Sequence, residues 1–446
     1  MKKGPEGLSP ALKKLRDFTI SSLAASALQF LLSLAKSVIF TRMLGPSGRG
    51  VFSLLLTIPA LVVSFGNLGF GLGSVYLAAR KKVDISYLLG NALAYLAVHG
   101  LILVGVGSLL FVLAEHGLIA MEGAGDIKTF ILASIPLVLL YNLGLDLLTG
   151  LGAIYVMNVL GVTFSFLPIV LFLLIYFLGG EALTAAMCAW MTSTGVIGVI
   201  AFFKVYRKSG QGPRLSWAYL KAALSFGLRG NPSMFANAVV RRIDVLFLAH
   251  YHGVEAVGFY AAAVSLAEII LTLPNAVSTP FLPLRLEMND RDGRQFSPLV
   301  VKYVLFIMFF VCLAAALTAK PVLYILYGRA FHPSLQPLLL LLPGILALTV
   351  YQFLKTDVLS LGRPGTVSLA SVGTMVVNLL LNILLIPKYG PSGAAVSSSV
   401  SYAASTGLLL WFVARKTDAA VADILFMKRS DLSFFWKKIK QIGRKK

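Results

Sequence analysis

Val159-Leu-Gly-Val-Thr-Phe-Ser-Phe-Leu-Pro-Ile-Val-Leu-Phe-Leu-Leu-Ile-Tyr-Phe-Leu178 runs for twenty residues without a charge. A hydrocarbon core about 30 Å thick takes roughly 20 helical residues to cross. Apolar residues follow one another here instead of alternating with polar ones, which excludes the strand of a membrane barrel. Backbone N–H and C=O groups find no partners in lipid, so the segment must be a helix that satisfies its own. Ile131–Leu140 and Leu338–Val350 read the same way.

Outward from this stretch, the pattern recurs almost end to end. Spans are predicted near residues 18–41, 51–79, 87–114, 129–149, 154–178, 182–203, 222–249, 258–284, 298–319, 334–360, 367–387 and 392–414. The chain is therefore read as an all-α polytopic membrane protein of about twelve transmembrane helices. Apolar residues make up 58% and charged residues 13% of the 446, which leaves no room for a large soluble domain.

The net charge of +21 would suggest nucleic acid in a soluble protein. Here the cations lie in short loops and tails, so no nucleic-acid partner is expected. Of 39 Lys and Arg, 27 fall on the side of the two tails, 6 lie in the opposite loops (Arg42, Arg49, Lys128, Lys320, Arg329 and Lys388), and 6 lie within spans. The positive-inside rule then places both termini in the cytoplasm, in agreement with an even number of helices. A multi-pass protein of the cell (cytoplasmic) membrane is the expected setting. Phe18–Thr41 reads as a retained first helix, because no small-residue cleavage site follows a short apolar region. Cys188 and Cys312 fall inside spans, so neither is placed for a disulfide or a paired metal site.

The division expected is a cytoplasmic N-tail over 1–17, a first lobe of six helices over 18–203, a basic linker over 204–221, a second lobe of six helices over 222–414, and a basic tail over 415–446. A faint internal repeat supports it. Gly45, Gly50 and Phe52 match Gly253, Gly258 and Tyr260 at a constant offset of 208, each set joining the first two helices of its half. Two like-oriented halves follow the parallel-repeat plan of many secondary transporters. In the tail, Leu432, Phe435, Ile439 and Ile442 at helical spacing among lysines read either as an amphipathic helix on the inner leaflet or as a solvated basic segment.

Charges inside spans cost about 2.5–3.5 kcal/mol each on insertion scales, so they face a partner or a wet cavity. Helix one carries Ser22, Ser26, Gln29, Ser33 and Lys36 in one arc. Helix eight does the same with Ser265, Glu268, Thr272, Asn275 and Thr279. Helix seven lines up Asn237, Arg241 and Asp244, and helix eleven Ser371, Asn378 and Asn382. Such stripes mark a helix–helix seam or a hydrated cavity, and the charges on them favour a cavity. Asp244 is expected to pair with Arg241 one turn away. Arg229, among Gly227, Gly230 and Pro232, is expected either at a break in helix seven or snorkelling at the interface. Asp357 is expected near the interface. His250 and His252 lie in a turn without a third ligand nearby, and no P-loop or HExxH occurs. No catalytic residues, metal site or cofactor are predicted, and the protein is not read as an enzyme. Energy would come from an ion gradient, the membrane potential or the substrate gradient.

Phe40-Thr-Arg-Met-Leu-Gly-Pro-Ser-Gly-Arg-Gly-Val-Phe52, Arg242-Ile-Asp244, Gly258-Phe-Tyr260 and Asn378-Leu-Leu-Leu-Asn-Ile-Leu-Leu-Ile-Pro-Lys-Tyr-Gly-Pro-Ser-Gly-Ala-Ala395 occur in this order. Together they resemble the polysaccharide flippases of the multidrug/oligosaccharidyl-lipid/polysaccharide exporter superfamily, over nearly the whole chain. The resemblance implies a V of two six-helix lobes around a central cavity. It also implies a substrate built as an oligosaccharide on an undecaprenyl-type diphosphate lipid, moved from the cytoplasmic leaflet by alternating access. Matching positions make Lys36, Arg42, Arg229 and Arg241 the candidate cations for the diphosphate or acidic sugars. Gln29, Asn237, Asp244, Glu268 and Asn275 are candidate polar lining. A lateral opening between helices one and eight is expected from their stripes. Membrane lipids, a glycan polymerase and other envelope-biosynthesis proteins are the partners expected, and a monomer suffices.

The multidrug exporters of the same superfamily are the rival reading. They are disfavoured because Lys36, Arg229 and Arg241 would repel a cationic drug in a low dielectric. A membrane-embedded glycosyltransferase or polymerase, and a scaffold acting through the basic tail, are further rivals.

Overall fold

A computed structural model describes residues 10–79, 83–115, 125–287, 290–360, 363–417 and 421–426. They form α1 (Pro10–Gly66), α2 (Phe70–Ala79), α3 (Ile85–Glu115), α4 (Gly125–Gly150), α5 (Ile154–Phe177), α6 (Ala182–Ser209), α7 (Trp217–Glu287), α8 (Asp290–Leu326), α9 (Leu335–Ser360), α10 (Pro364–Thr417) and the short α11 (Val421–Leu425). A 3-10 segment, Arg329–Ser334, leads into α9. The first nine residues of the N-tail and the basic stretch 427–446 lie outside the described residues.

Among the described residues, nine helices are long and apolar enough to cross a membrane. Three of them far exceed one crossing: Ala24–Gly66 has 43 residues, Trp217–Asn275 has 59 and Gly365–Arg415 has 51. Each is long enough for two crossings of roughly 20 residues. Each is also broken at a single glycine with non-helical angles: Gly45, Gly253 and Gly390. Loops expected over 42–50, 250–257 and 388–391 are thus replaced by helix on both sides of one residue. Glycine makes this possible because it lacks the Cβ that forbids such angles.

Three further departures from the sequence reading have physical causes. The basic segment 204–221 is mostly helical, since α6 extends to Ser209 and α7 begins at Trp217, leaving only 210–216 non-helical. Helix seven runs unbroken through Gly227, Arg229 and Pro232. Membrane helices tolerate proline where neighbouring groups re-satisfy the freed backbone. The break occurs instead in helix two, where residues 67–69 form a turn between α1 and α2.

The chain packs as two compact units, Met1–Ala262 and Ala263–Lys446. In the first, Phe40 meets Phe52 edge-on at 5.5 Å and Phe172 at 4.5 Å, joining α1 to α5. A second cluster gathers Phe70, Leu88, Leu139, Leu143, Leu147 and Ile197. Glycines bring backbones close where α4 meets α6: a Cβ on Gly198 would lie 2.7 Å from Leu140. Lipid is as apolar as leucine, so membrane helices associate through such close packing. Large apolar side chains point outward, as Leu101 at 75% and Phe177 at 79% exposure show. That inverted surface belongs to a multi-pass membrane protein.

In the second unit α9 packs on α10 through polar bridges. Ser399 Oγ donates to the Leu340 carbonyl at 2.7 Å, and Thr406 Oγ1 donates to the Ala347 carbonyl at 2.8 Å. Ala394 and Ala395 are fully buried, and a Cβ on Gly393 would overlap the Leu385 carbonyl, so the start of helix twelve packs as closely as its small residues suggest. Asp357 is buried within this unit, and the Ser297 hydroxyl on α8 donates to its Oδ1 at 2.8 Å.

Candidate functional site

Gly45 adopts φ 66°, ψ −178° and Gly253 adopts φ 77°, ψ 179°. This region is essentially confined to glycine. The two residues are 208 apart and share one backbone shape, so the faint repeat in the sequence has a backbone counterpart at these two junctions. The junctions also clasp each other. A Cβ on Gly50 would overlap the Val254 carbonyl oxygen, and a Cβ on Gly258 would overlap the Pro46 carbonyl oxygen. Pro46 and Val254 are themselves 208 apart, so each half offers the other the same surface.

On this frame Lys36 and Asp244 stand at corresponding positions, as do Phe52 and Tyr260. Their surroundings differ. Lys36 is half-buried, with its ammonium 5.6 Å from the centre of the Phe164 ring on α5. Aromatic faces attract cations, and the more so away from water. Two turns earlier Gln29 points to the same helix, its Nε2 donating to the Asn158 carbonyl at 3.5 Å, with Gly161 making room. Gln29 and Lys36 of the helix-one stripe therefore lie along α5.

Asp244 is 2% exposed. The Tyr260 hydroxyl donates to its Oδ2 and the Val245 N–H donates to its Oδ1 at 2.8 Å. The expected ion pair with Arg241 is not formed. Arg241 is exposed, and the cation acting on the carboxylate is Arg242. The carboxylate turns across the Gly253 break towards Tyr260, which holds it away from the exposed face of its own helix.

Among the remaining candidates, Arg42 and Arg229 are exposed on α1 and α7. Asn237 is half-buried and donates to the Ser233 carbonyl of its own helix at 2.7 Å. Glu268 and Asn275 are exposed and belong to the second unit. In that unit the helix-eleven stripe forms a seam: Asn382 Nδ2 donates to Asn378 Oδ1 at 3.1 Å, and Ser397 Oγ donates to the Asn378 carbonyl at 3.2 Å. Ser371 lies 3.3 Å from the Tyr351 hydroxyl.

The turn in helix two was not read from the sequence, although Gly66-Asn67-Leu68-Gly69 carries turn residues. Leu68 and Gly69 take left-handed φ values of 46° and 72°. The carbonyls freed there are used. Tyr95 Oη donates to Asn67 O at 2.8 Å, and His99 Nε2 meets Gly66 O. Phe70, Tyr95 and His99 stack in series at 4.3 and 4.5 Å. Gly69 and Gly227 meet backbone to backbone, and a Cβ on Gly73 would overlap the Ala223 carbonyl. Arg229 thus stands two residues from the contact of α7 with the turn. Among the described residues no group of three or more His, Cys, Asp or Glu is placed to hold a metal ion.

Known proteins share this fold. The chain is 24% identical over 400 residues, covering 87% of its length and 80% of the other's, to the "Probable low-salt glycan biosynthesis flippase Agl15" of Haloferax volcanii. It superposes on a lipid II flippase MurJ in an inward closed conformation with a TM-score of 0.75 at 16% identity, covering 91% of this chain and 89% of that one. It superposes on an inward-facing multidrug resistance MATE family transporter with a TM-score of 0.68 at 16% identity, covering 90% and 98% of the two chains. Residues 15–284 match the model of a polysaccharide biosynthesis protein family, and the chain belongs to that family.

Proposed function

We propose that the protein moves a lipid-linked oligosaccharide, of the undecaprenyl-diphosphate kind, from the cytoplasmic to the outer leaflet of the cell membrane by alternating access. The observation that carries this reading is the set of cations on α1 and α7: Lys36 within a membrane helix, with Arg42, Arg229 and Arg241 exposed. A diphosphate suits such a set, because charge-assisted bonds to phosphate are strong and geometrically specific. The names of the relatives, a glycan biosynthesis flippase and a lipid II flippase, point to the same class of cargo. Cations concentrated on one side of the span pattern support a cytoplasmic position for both termini, on the side where such lipids are assembled.

The MATE neighbour supports a second reading, export of a small drug. A cationic drug would meet repulsion from the same side chains. The test uses cells whose own flippase has been removed. The chain should restore surface glycan, and Lys36→Ala, Arg229→Ala and Arg241→Ala together should abolish it without lowering the amount of protein in the membrane. Full export by the triple variant, or drug resistance without glycan export, would overturn the proposal.

A further inference from the structure

Asp146 lies on α4, one turn before its end at Gly150 and inside the span Ile127–Gly150. Its carboxylate presses on Gly71, so that a Cβ there would overlap Oδ2. Gly71 belongs to the first turn of α2, a ten-residue half-helix that starts at the break in helix two. The turn residue Gly69 against Gly227, and Gly73 of the half-helix against Ala223, form the seam with α7. Further along, Val75 and Ala78 of α2 pack on Gly150 of α4. A short, pre-broken helix therefore sits between an acid on one side and a closing contact on the other.

The helices around α4 carry several titratable groups that are engaged elsewhere or exposed, Lys204, Tyr206 and Arg207 of α6 among the exposed ones. On α3, Tyr95 and His99 turn to the carbonyls of the break. Tyr76 of α2 stacks on Phe226, and Tyr141 of α4 leans on Phe164. Lys36 of α1 lies over Phe164, while Lys208 of α6 donates to the Leu151 carbonyl at 3.2 Å. Tyr155 of α5 is exposed. None of these acts on the carboxylate through charge or a hydrogen bond. An ionised carboxylate in such surroundings draws in water, whereas the neutral acid tolerates close packing. Hard metal cations gather several oxygen ligands, carboxylates above all, and among the described residues no three His, Cys, Asp or Glu come together here. The cation suited to a solitary carboxylate is a proton.

We propose that Asp146 is a proton-binding site, and that the half-helix α2 relays its charge state to the seam with α7. Proton uptake converts the carboxylate to the neutral acid, lets α2 pack and closes the seam; release restores the anion and loosens it. As a coupling device for transport, this inference rests on the flippase reading. The movement of the seam can be measured without any substrate.

A Cβ on Gly230 would lie 2.5 Å from the Leu72 side chain across the seam. Leu72→Cys with Gly230→Cys, in full-length protein lacking Cys188 and Cys312 and held in lipid nanodiscs, therefore reports closure by disulfide yield. Yield should rise as pH falls. Asp146→Asn should give high yield at every pH, and Asp146→Glu should keep the dependence. Yield that ignores pH, or an Asp146→Asn protein that still follows it, would overturn the proposal. In proteoliposomes an imposed gradient of one pH unit corresponds to a tenfold driving ratio per proton, about 1.4 kcal/mol. It should accelerate flipping of a fluorescent undecaprenyl-diphosphate disaccharide by wild type but not by Asp146→Asn. If wild-type cross-linking follows pH while no glycolipid moves, the substrate reading fails and the proton site stands. If glycolipid moves and cross-linking is blind to pH, the proton site falls alone.

Discussion

The junction at Gly45 and the junction at Gly253 are one backbone carrying two chemistries. Both glycines hold the same angles, and both following segments press a second glycine onto the partner's carbonyl. Yet the first copy places a lysine over an aromatic ring and an apolar Phe52 at its base. The second places a buried aspartate under a tyrosine hydroxyl. What the two copies share is what a tight reversal and a close clasp require. What they do not share is free to serve a cargo or a coupling step. Conserved geometry and divergent charge separate the framework of the protein from its chemistry.

The largest effect expected comes from filling the clasp. Gly50→Val or Gly258→Val puts a branched side chain into a backbone carbonyl that cannot retreat as a flexible side chain would. Overpacking of this kind costs about 1–3 kcal/mol where neighbours can shift, and more where backbone must move. Either variant should abolish glycan export and lower the melting temperature in detergent, and the two should do so alike. Unequal losses would show that the halves do not contribute symmetrically.

Next in size is the difference itself. Asp244→Ala leaves the Tyr260 hydroxyl buried without its acceptor, a loss of about 1–3 kcal/mol. Tyr260→Phe in that background should recover part of it, as a double-mutant cycle on thermal unfolding would show. Gly45→Ala and Gly253→Ala should follow, each destabilising by about 1–3 kcal/mol because alanine is strained at these angles. Their effects should match within the error of the melting curves, whereas a lone loss at one glycine would break the equivalence of the copies. The smallest shift is expected from Phe164→Leu. It removes the ring beneath Lys36, a contact of about 0.5–2 kcal/mol, and should alter the affinity for an anionic glycolipid more than the melting temperature.

Much of this architecture was legible from residues alone. The length of apolar runs marks the helices, and Gly45, Gly253 and Gly390 mark the joints because glycine lacks the Cβ that disfavours such angles. The helix-two turn is hidden in the sequence because Gly66-Asn67-Leu68-Gly69 sits inside a continuous apolar run, where hydropathy outweighs turn chemistry. Pro232 is the opposite case: proline signals a break, but packing in a bundle can absorb it. Partners across the fold were beyond reach. Neither the Tyr260–Asp244 bond nor the seating of Asp146 on Gly71 follows from spacing along one helix, since each depends on which helix a residue meets. Arg241 was the natural choice for Asp244 because only its own helix could be counted.

The mutual insertion at Gly50 and Gly258 has a further meaning. A patch that meets its own copy is the hallmark of an isologous two-fold interface, normally found between separate identical subunits. Here both subunits are carried on one polypeptide. Neither face can then drift without the other, so these few positions should tolerate change only in concert, and the two segments, expressed apart, retain the complementary surfaces that would let them find each other.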